Sequence, residues 1–389
     1  MTGTFSLGEE HNDFRAAVAD FAARDLAPHV ERWNAAHEAP LEAIKLMADL
    51  GLFGLGGPEE YGGAGDFTSL CIAIEEIGKV DQSLGITLEA AVGLGINPIA
   101  HFGTADQQGR WLPDLLAGRA LAAFGLTEPE AGSDAGATRT RASLLDHEWV
   151  INGSKQFITN SGTDITSICT VTARTGTRED GKPEISAIVV PAGAPGFVVG
   201  PSYLKLGWHA SDTHPLTFTD VRVPENHLLG ERGEGYHEFL SILDGGRVGI
   251  AALALGCIRA CLEMSTQYAK ERTTFGVPIG RKQGVAFQIA DLAVMASAAH
   301  QLVYAAAAMR DHGGDTREFN QAAAIAKLYA TESAVTATRI ATQVFGGYGF
   351  MEEYPVARFY RDAKVLEIGE GTSEIQRVLI ARRLGLPVE

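Results

Sequence analysis

The apolar periodicity of this 389-residue chain changes twice, and those two changes constrain its fold more than any other feature. Up to about residue 120 the spacing is helical. Phe14, Val18 and Phe21 share one face, which Leu26 continues. Leu41 to Leu50 reads as a short helix stopped at Gly51, and a helical pattern resumes from Thr68 to Val80 after the glycine-rich loop Gly56 to Gly63. From about 121 to 235 the texture becomes short apolar runs punctuated by Gly, Pro, Asp and Thr. Trp149 to Ile151 and Gln156 to Thr159 flank Asn152-Gly153, which predicts a hairpin with a type I′ turn there. Ser167 to Ala173, Ile185 to Val190, Phe197 to Gly200 and Leu216 to Val223 are further strand candidates. Beyond about 236 the chain is alanine-rich and helical, with long helices expected over 247–271, 285–311 and 316–345 and a short one from near Thr372. The expectation is an α+β protein with a helical domain over 1–120, a β-barrel-like middle domain of six to eight strands over 121–235, and a four-helix bundle over 236–389. A ligand cleft is expected where the β domain meets the helical ones.

Several function classes drop out. No GxGxxG opens a βαβ unit and no Walker loop is present, so a nucleotide cofactor would need another cradle. A net charge of −16 argues against general nucleic-acid binding, yet a few local arginines could still hold an anionic ligand such as a CoA ester. Cys71, Cys169, Cys257 and Cys261 have neither CxxC nor zinc spacing, so no metal site and a reducing compartment are expected. The acidic start, with Glu9, Glu10 and Asp13, does not read as a signal peptide, and no apolar stretch is read as long enough to span a membrane. A cytoplasmic protein without a membrane anchor is the expectation.

Three segments are dense in chemistry-bearing residues. In Ile368 to Arg377 the carboxylate of Glu370 sits between two glycines ahead of a helix, where Ser373 and Gln376 fit a capping box. Such a carboxylate could take a proton from a ligand lying against the main chain, or it could simply be an acidic helix start. Gly125 to Asp134 gathers hydroxyls, glycines and amides suited to a heterocycle edge or a pyrophosphate, against the alternative of an ordinary turn. Gln343 to Phe350, followed by Arg358, Arg361 and Asp362, is either a third such segment or a helix stop with a turn.

Taken together and in order, the TEPEAGSD, QxxGGxG and EGTSEIQR blocks resemble the acyl-CoA dehydrogenase family of flavoproteins. Pro58 to Gly63, Glu271 to Gly276 and Gln283 match as well, so the likeness spans essentially the whole chain. The resemblance implies non-covalent FAD. It carries cofactor roles to Phe124, Leu126, Thr127, Gly132 and Ser133, to Phe157, Ile158 and Thr159, and to Thr372 and Glu374. Arg272, Phe275, Gln283, Gln343, Gly346 and Gly347 match positions that clasp the FAD of a neighbouring subunit, which implies an obligate oligomer, in the family most often a homotetramer built as a dimer of dimers, with a dimer left open. Ser133, Asp244, Arg247 and Gly371 are implied substrate contacts, with Arg247 expected at a helix start. The implied reaction is α,β-dehydrogenation of an acyl-CoA, with Glu370 as base, flavin N5 as hydride acceptor and an electron-transfer flavoprotein as partner. The thioester oxygen would accept hydrogen bonds from the FAD ribityl hydroxyl and the Glu370 N–H.

Some family members carry the base near 244–247, where Asp244 is the one carboxylate here; Asp362, Glu367 and Glu374 are local rivals. Two departures matter. Phe157 stands where the family has a tryptophan, and Gly369 replaces a frequent aromatic, which removes bulk from the acyl wall and points to a branched, wider or more polar acyl group, with a straight short chain still compatible because other side chains can fill the gap. A flavin oxidase using dioxygen and a silent acyl-CoA-binding homologue are the competing readings.

Overall fold

The computed structural model describes residues 6–388. Its element order is helical, then sheet, then helical, as the periodicity implied. The strands are β1 (Leu121–Gly125), β2 (Arg141–Leu145), β3 (Glu148–Thr159), β4 (Thr166–Thr177), β5 (Pro183–Pro191), β6 (Phe197–Val199), β7 (Thr213–Pro224) and β8 (Leu228–Leu229). They form one sheet in the order β6-β7-β3-β2-β4-β5-β8, with β1 joined in parallel to β4. Side-chain alternation along β5 sends Ile188 and Val190 into the sheet's own core and Ala187 and Val189 into the core of the helical domains. The sheet is thereby bound to the helices through its second face.

The expected hairpin turn at Asn152-Gly153 is not there. β3 runs straight through it, and the turn falls at Asp146-His147, whose φ values of 49° and 65° are those of a type I′ turn. Asn152 is instead taken up across the sheet by Asp220, its side chain exchanging two hydrogen bonds of 3.0 and 2.9 Å with the Asp220 carboxylate and N–H. Gly153 sits at a bulge, where a Cβ would overlap Thr140.

The long helix Gly235–Glu271 begins 12 residues before the expected start at 247. Its glycines concealed it, since each glycine costs a helix about 1 kcal/mol against alanine. Packing explains them. A Cβ on Gly256 would overlap the backbone of the helix Phe67–Val80, and Gly246 and Gly249 face two carboxyl groups described below. Arg247 consequently lies in a helix interior rather than at a helix start, so the dipole argument for a polar partner there falls away. The helices Gln283–Asp311 and Thr316–Phe345 pack on this one, and Ser373–Arg383 packs on the latter. A further helix, Pro355–Ala363, was not foreseen.

Three helical stretches are, by length and composition, apolar enough to cross a membrane, contrary to the reading from sequence: Gln82–Phe102, Gly235–Glu271 and Gln283–Asp311. The first two owe their composition to burial, with 89% and 78% of their apolar windows inside the protein against 33% for the third.

Candidate active site

Four elements converge around Glu370. Asn160, at the end of β3, donates through Nδ2 to the Thr87 carbonyl at 3.1 Å and so docks the sheet against the helix Gln82–Glu89. Directly after Glu89 that helix widens into a π turn over Ala90–Ile96, a distortion that recurs at functional sites. On the long helix, a Cβ at Gly246 would overlap Glu370 Oε2, and one at Gly249 would press on the Glu89 side chain. Lys327, on the helix Thr316–Phe345, donates to the Gly371 carbonyl at 2.8 Å and faces Glu370.

Glu370 itself has φ of 51°, a left-handed conformation that costs a non-glycine residue about 1–2 kcal/mol. The cost aims its carboxylate inward. Oε2 is buried without a hydrogen-bond partner, and the Glu370 N–H is engaged by no backbone carbonyl among the described residues. The Glu89 carboxyl is hydrogen-bonded to Glu370, and its own Oε2 is likewise unpartnered. Burial raises the pKa of both. Glu89 rises well above the usual range because burial and the Glu370 charge act in the same direction. Glu370 is raised by burial, against which the Glu89 hydrogen bond, Lys327 and Arg247 pull it down. Both directions favour one proton shared between the two carboxyl groups, with the additional cations near Glu370 favouring ionisation on its side. Burial lowers the Lys327 pKa to about 8 although the Glu370 charge favours its protonated form.

Glu89 and Lys327 were not foreseen. Each is the lone charge in an otherwise apolar run, Thr87 to Ile96 and Ala322 to Leu328, and that isolation was the available signal. The helix after Glu370 also differs from expectation. Its N-cap is Thr372, which accepts from the Ile375 N–H at 3.3 Å. Gln376 does not close a capping box with Ser373; it donates to the Gly371 carbonyl at 2.9 Å. Ser373 Oγ is left buried and unpartnered.

The remaining expected site residues fall into two groups. The first lies on the sheet and the loop after β1. Phe157, at φ of 60° on a bulge of β3, is 62% exposed while Ile158 beside it is 3% exposed, so Phe157 is not a strand core residue. Thr159 is half-buried next to Asn160. Phe124 stacks on Phe239 of the long helix at 4.0 Å between centroids. Gly132 and Ser133 are exposed on a loop whose ends are pinned. The Leu126 carbonyl and Glu128 both accept from the buried Lys155 Nζ, at 3.1 and 2.8 Å, and Glu128 also accepts from the N–H groups of Arg139 and Thr140. The Thr127 carbonyl accepts from Gln156 N–H. Burial opposes the charge of Glu128, but Lys155 and these donors hold its pKa at about 2.

The second group is Arg272, Phe275, Gln283, Gln343, Gly346 and Gly347, all exposed. Arg272 lies over the Tyr348 ring at 5.4 Å. It stands 26 positions beyond Gly246 on the long helix, about 39 Å at 1.5 Å per residue. The Arg272 cluster is therefore not brought to the Glu370 site within one copy of the chain. Asp244 and Arg247 pair with each other. Glu374 is exposed in the first turn of its helix, and Asp362, a rival base, is committed to the Trp208 N–H at 2.7 Å. One residue along the long helix from Gly246, a cleft of about 410 Å³ opens, lined by Ser241, Asp244, Gly245, His101, Arg310 and Asn320 among others.

This arrangement matches known proteins along its whole length. The family descriptions "Acyl-CoA dehydrogenase, N-terminal domain", "middle domain" and "C-terminal domain" match residues 8–119, 123–221 and 233–385. The probable acyl-CoA dehydrogenase YngJ of Bacillus subtilis is 48% identical over 98% of this chain and 99% of its own length. Butyryl-CoA dehydrogenase from Megasphaera elsdenii superposes with a TM-score of 0.93 at 42% identity, covering 98% of this chain and 99% of that one. A chain from a structure described as the electron transferring flavoprotein of Acidaminococcus fermentans also superposes at 0.93, with 41% identity over 98% of this chain and 99% of that one.

Proposed function

The chain belongs to the acyl-CoA dehydrogenase family, and from that premise we propose that it desaturates a short-chain acyl-CoA between Cα and Cβ with Glu370 as the base. The family is FAD-dependent. The residues present suit such a group: an exposed aromatic ring at Phe157, the adjacent Thr159 hydroxyl and the unpartnered Ser373 Oγ. When bound, FAD supplies the acceptor for the β-hydrogen and its electron pair.

The observation that carries the reading is the inward-facing Glu370 carboxylate with one oxygen free. Glu370 takes the α-hydrogen as a proton, leaving the bond pair to form the enoyl double bond as the β-hydrogen departs as hydride. Its raised pKa narrows the gap to the weakly acidic α-carbon. The Glu370 N–H, free of any backbone partner, is placed to donate to the thioester oxygen as enolate charge develops there. Gly246 leaves the space that the Glu370 carboxylate occupies, and Glu89 beside it is buried.

A short acyl group suits the site because the buried Glu89 side chain abuts Glu370 and fills space beside it. The M. elsdenii relative is named for butyryl-CoA, which favours the same length. Gly369 widens the wall, since a Cβ there would meet only the Val365 carbonyl at 3.6 Å. The exposed cluster around Arg272, far along the long helix from Gly246 beside Glu370, suits the FAD of a neighbouring copy, and a homo-oligomer such as a dimer of dimers fits that reading. Electrons then pass to an electron-transfer flavoprotein. Four buried free cysteines suit a cytoplasmic, reducing compartment.

The test is anaerobic titration of the yellow protein with butyryl-CoA. The parent should bleach; Glu370→Gln should keep its flavin and not bleach. Bleaching of that variant at the parent rate refutes the assignment. Rapid reoxidation of the reduced parent by air would instead favour the oxidase reading.

A further inference from the structure

The cleft beside Gly246 contains a guanidinium that forms no direct ion pair among the described residues, although the Asp311 and Asp244 charges act on it from nearby. Arg310, in the last turn of the helix Gln283–Asp311, is half-buried, and its guanidinium lies over the Phe67 ring at 4.2 Å. A Cβ at Gly245 would overlap Arg310 Nη1, so the fork is aimed across that glycine into the cleft. Among the described residues it makes no ion pair and no side-chain hydrogen bond within the protein. The nearby acids are committed elsewhere. Asp311 accepts from the N–H groups of Phe67 and Thr68, at 2.9 and 3.0 Å, and from the Thr68 hydroxyl. Asp244 pairs with Arg247. His101 lines the same cleft, where partial desolvation and the Arg310 charge hold it towards its neutral form.

A half-buried guanidinium without a hydrogen-bond partner carries a desolvation cost that the nearby Asp311 and Asp244 charges offset only in part, and an oxyanion arriving with a ligand would offset it further. The direction of approach identifies the ligand's charged part. From Glu370 the long helix leads one way to Gly249 and Glu89 and the other way to Gly245, Ser241 and the cleft. An acyl chain entering the Glu89 side meets two carboxyl groups, which disfavour a carboxylate at its far end. The opposite side opens to solvent and carries Arg310.

Resting on the acyl-CoA reading above, we infer that Arg310 is a substrate-binding residue that receives a phosphate of the CoA handle at the mouth of the site. Gly245 is part of that device, because a side chain there would displace the guanidinium. The pairing of Asp244 with Arg247 leaves Arg310 as the surplus cation. On a chain with a net charge of −16, such a local cation is what would draw an anionic substrate to this cleft.

The experiment measures kcat and KM of the holoenzyme and of Arg310→Gln and Arg310→Lys with three substrates: butyryl-CoA, butyryl-pantetheine and glutaryl-CoA. With butyryl-CoA, Arg310→Gln should lose about ten- to a hundredfold in kcat/KM, mostly through KM, as expected for one charge-assisted contact. Arg310→Lys should recover part of it. With butyryl-pantetheine, which has no phosphate, the parent-to-variant ratio should fall towards one. An equal loss with and without the phosphates overturns the inference, as does no loss at all. A loss confined to glutaryl-CoA assigns the anion to the acyl end and also overturns it. If the parent oxidises none of the three, the dehydrogenase reading fails instead. Should Arg310→Gln not fold, the Arg310→Lys ratio across the three substrates decides the same question.

Discussion

Replacing Glu89 separates a proton-holding partner from a mere space-filler. Glu89 is fully buried, hydrogen-bonded to Glu370, and driven towards its protonated form by burial and by the Glu370 charge. In that state it is a donor that stabilises the Glu370 carboxylate. A hydrogen bond to a charged acceptor contributes about 1.5–3 kcal/mol, a factor of roughly ten to a hundred in equilibrium. Leucine fills similar volume without the donor, and glutamine keeps a donor. In Glu89→Leu the Glu370 carboxylate should be harder to form, so kcat/KM should fall about tenfold or more below the acidic limb of its pH profile and match the parent above it. Glu89→Gln should stay within about threefold throughout. The assay is the rate of anaerobic flavin bleaching by butyryl-CoA across pH. A rise in low-pH activity for the leucine variant would mean that Glu89 is ionised and repels Glu370. Identical profiles for leucine and glutamine would mean that it only fills space. Either result refutes the reasoning.

Three further outcomes are expected. Lys155→Met leaves the Glu128 carboxylate buried without its cation, so Tm should fall, by about 3 kcal/mol in stability, and FAD should dissociate more readily as the loop through Ser133 loosens; unchanged FAD retention would dissociate the ion pair from the loop. Asp362, pushed up to about 7 by burial and by Asp81, binds a proton in the native state that the unfolded chain has already released. Its contribution is therefore present below about pH 4 and lost as pH rises to about 7, so Asp362→Asn should flatten the fall in Tm over that window, and parallel curves for the two proteins would contradict this. Gly369→Tyr has local room, with only the Val365 carbonyl at 3.6 Å from a new Cβ, and should reduce kcat/KM for isobutyryl-CoA about tenfold more than for butyryl-CoA; equal losses would place Gly369 away from the acyl wall.

The chain's local patterns reveal what depends on neighbours in sequence. Periods of about 3.6 and 2 residues are local properties, and they mark the helical, sheet and helical zones. The Glu370 segment is legible for the same reason, because its flanking glycines and the helix after it are contiguous. Patterns fail where a contact from elsewhere overrides a local preference. Asn152-Gly153 has the chemistry of a turn, yet Asp220, 68 positions away, holds Asn152 within a strand. Gly245 and Gly246 look like a helix boundary, yet the helix continues because Arg310 and Glu370 need the space that side chains would take.

The sequence alone determined the fold class and the identity of one acidic residue between two glycines, since both follow from residues adjacent in the chain. Only the tertiary structure decided that Glu370 shares a buried proton site with Glu89 and faces Lys327, and that Arg310 lines the cleft without a direct ion pair. Those relations join helices 43 to 281 positions apart, and their energies come from desolvation and charge proximity, which exist only once the helices have packed.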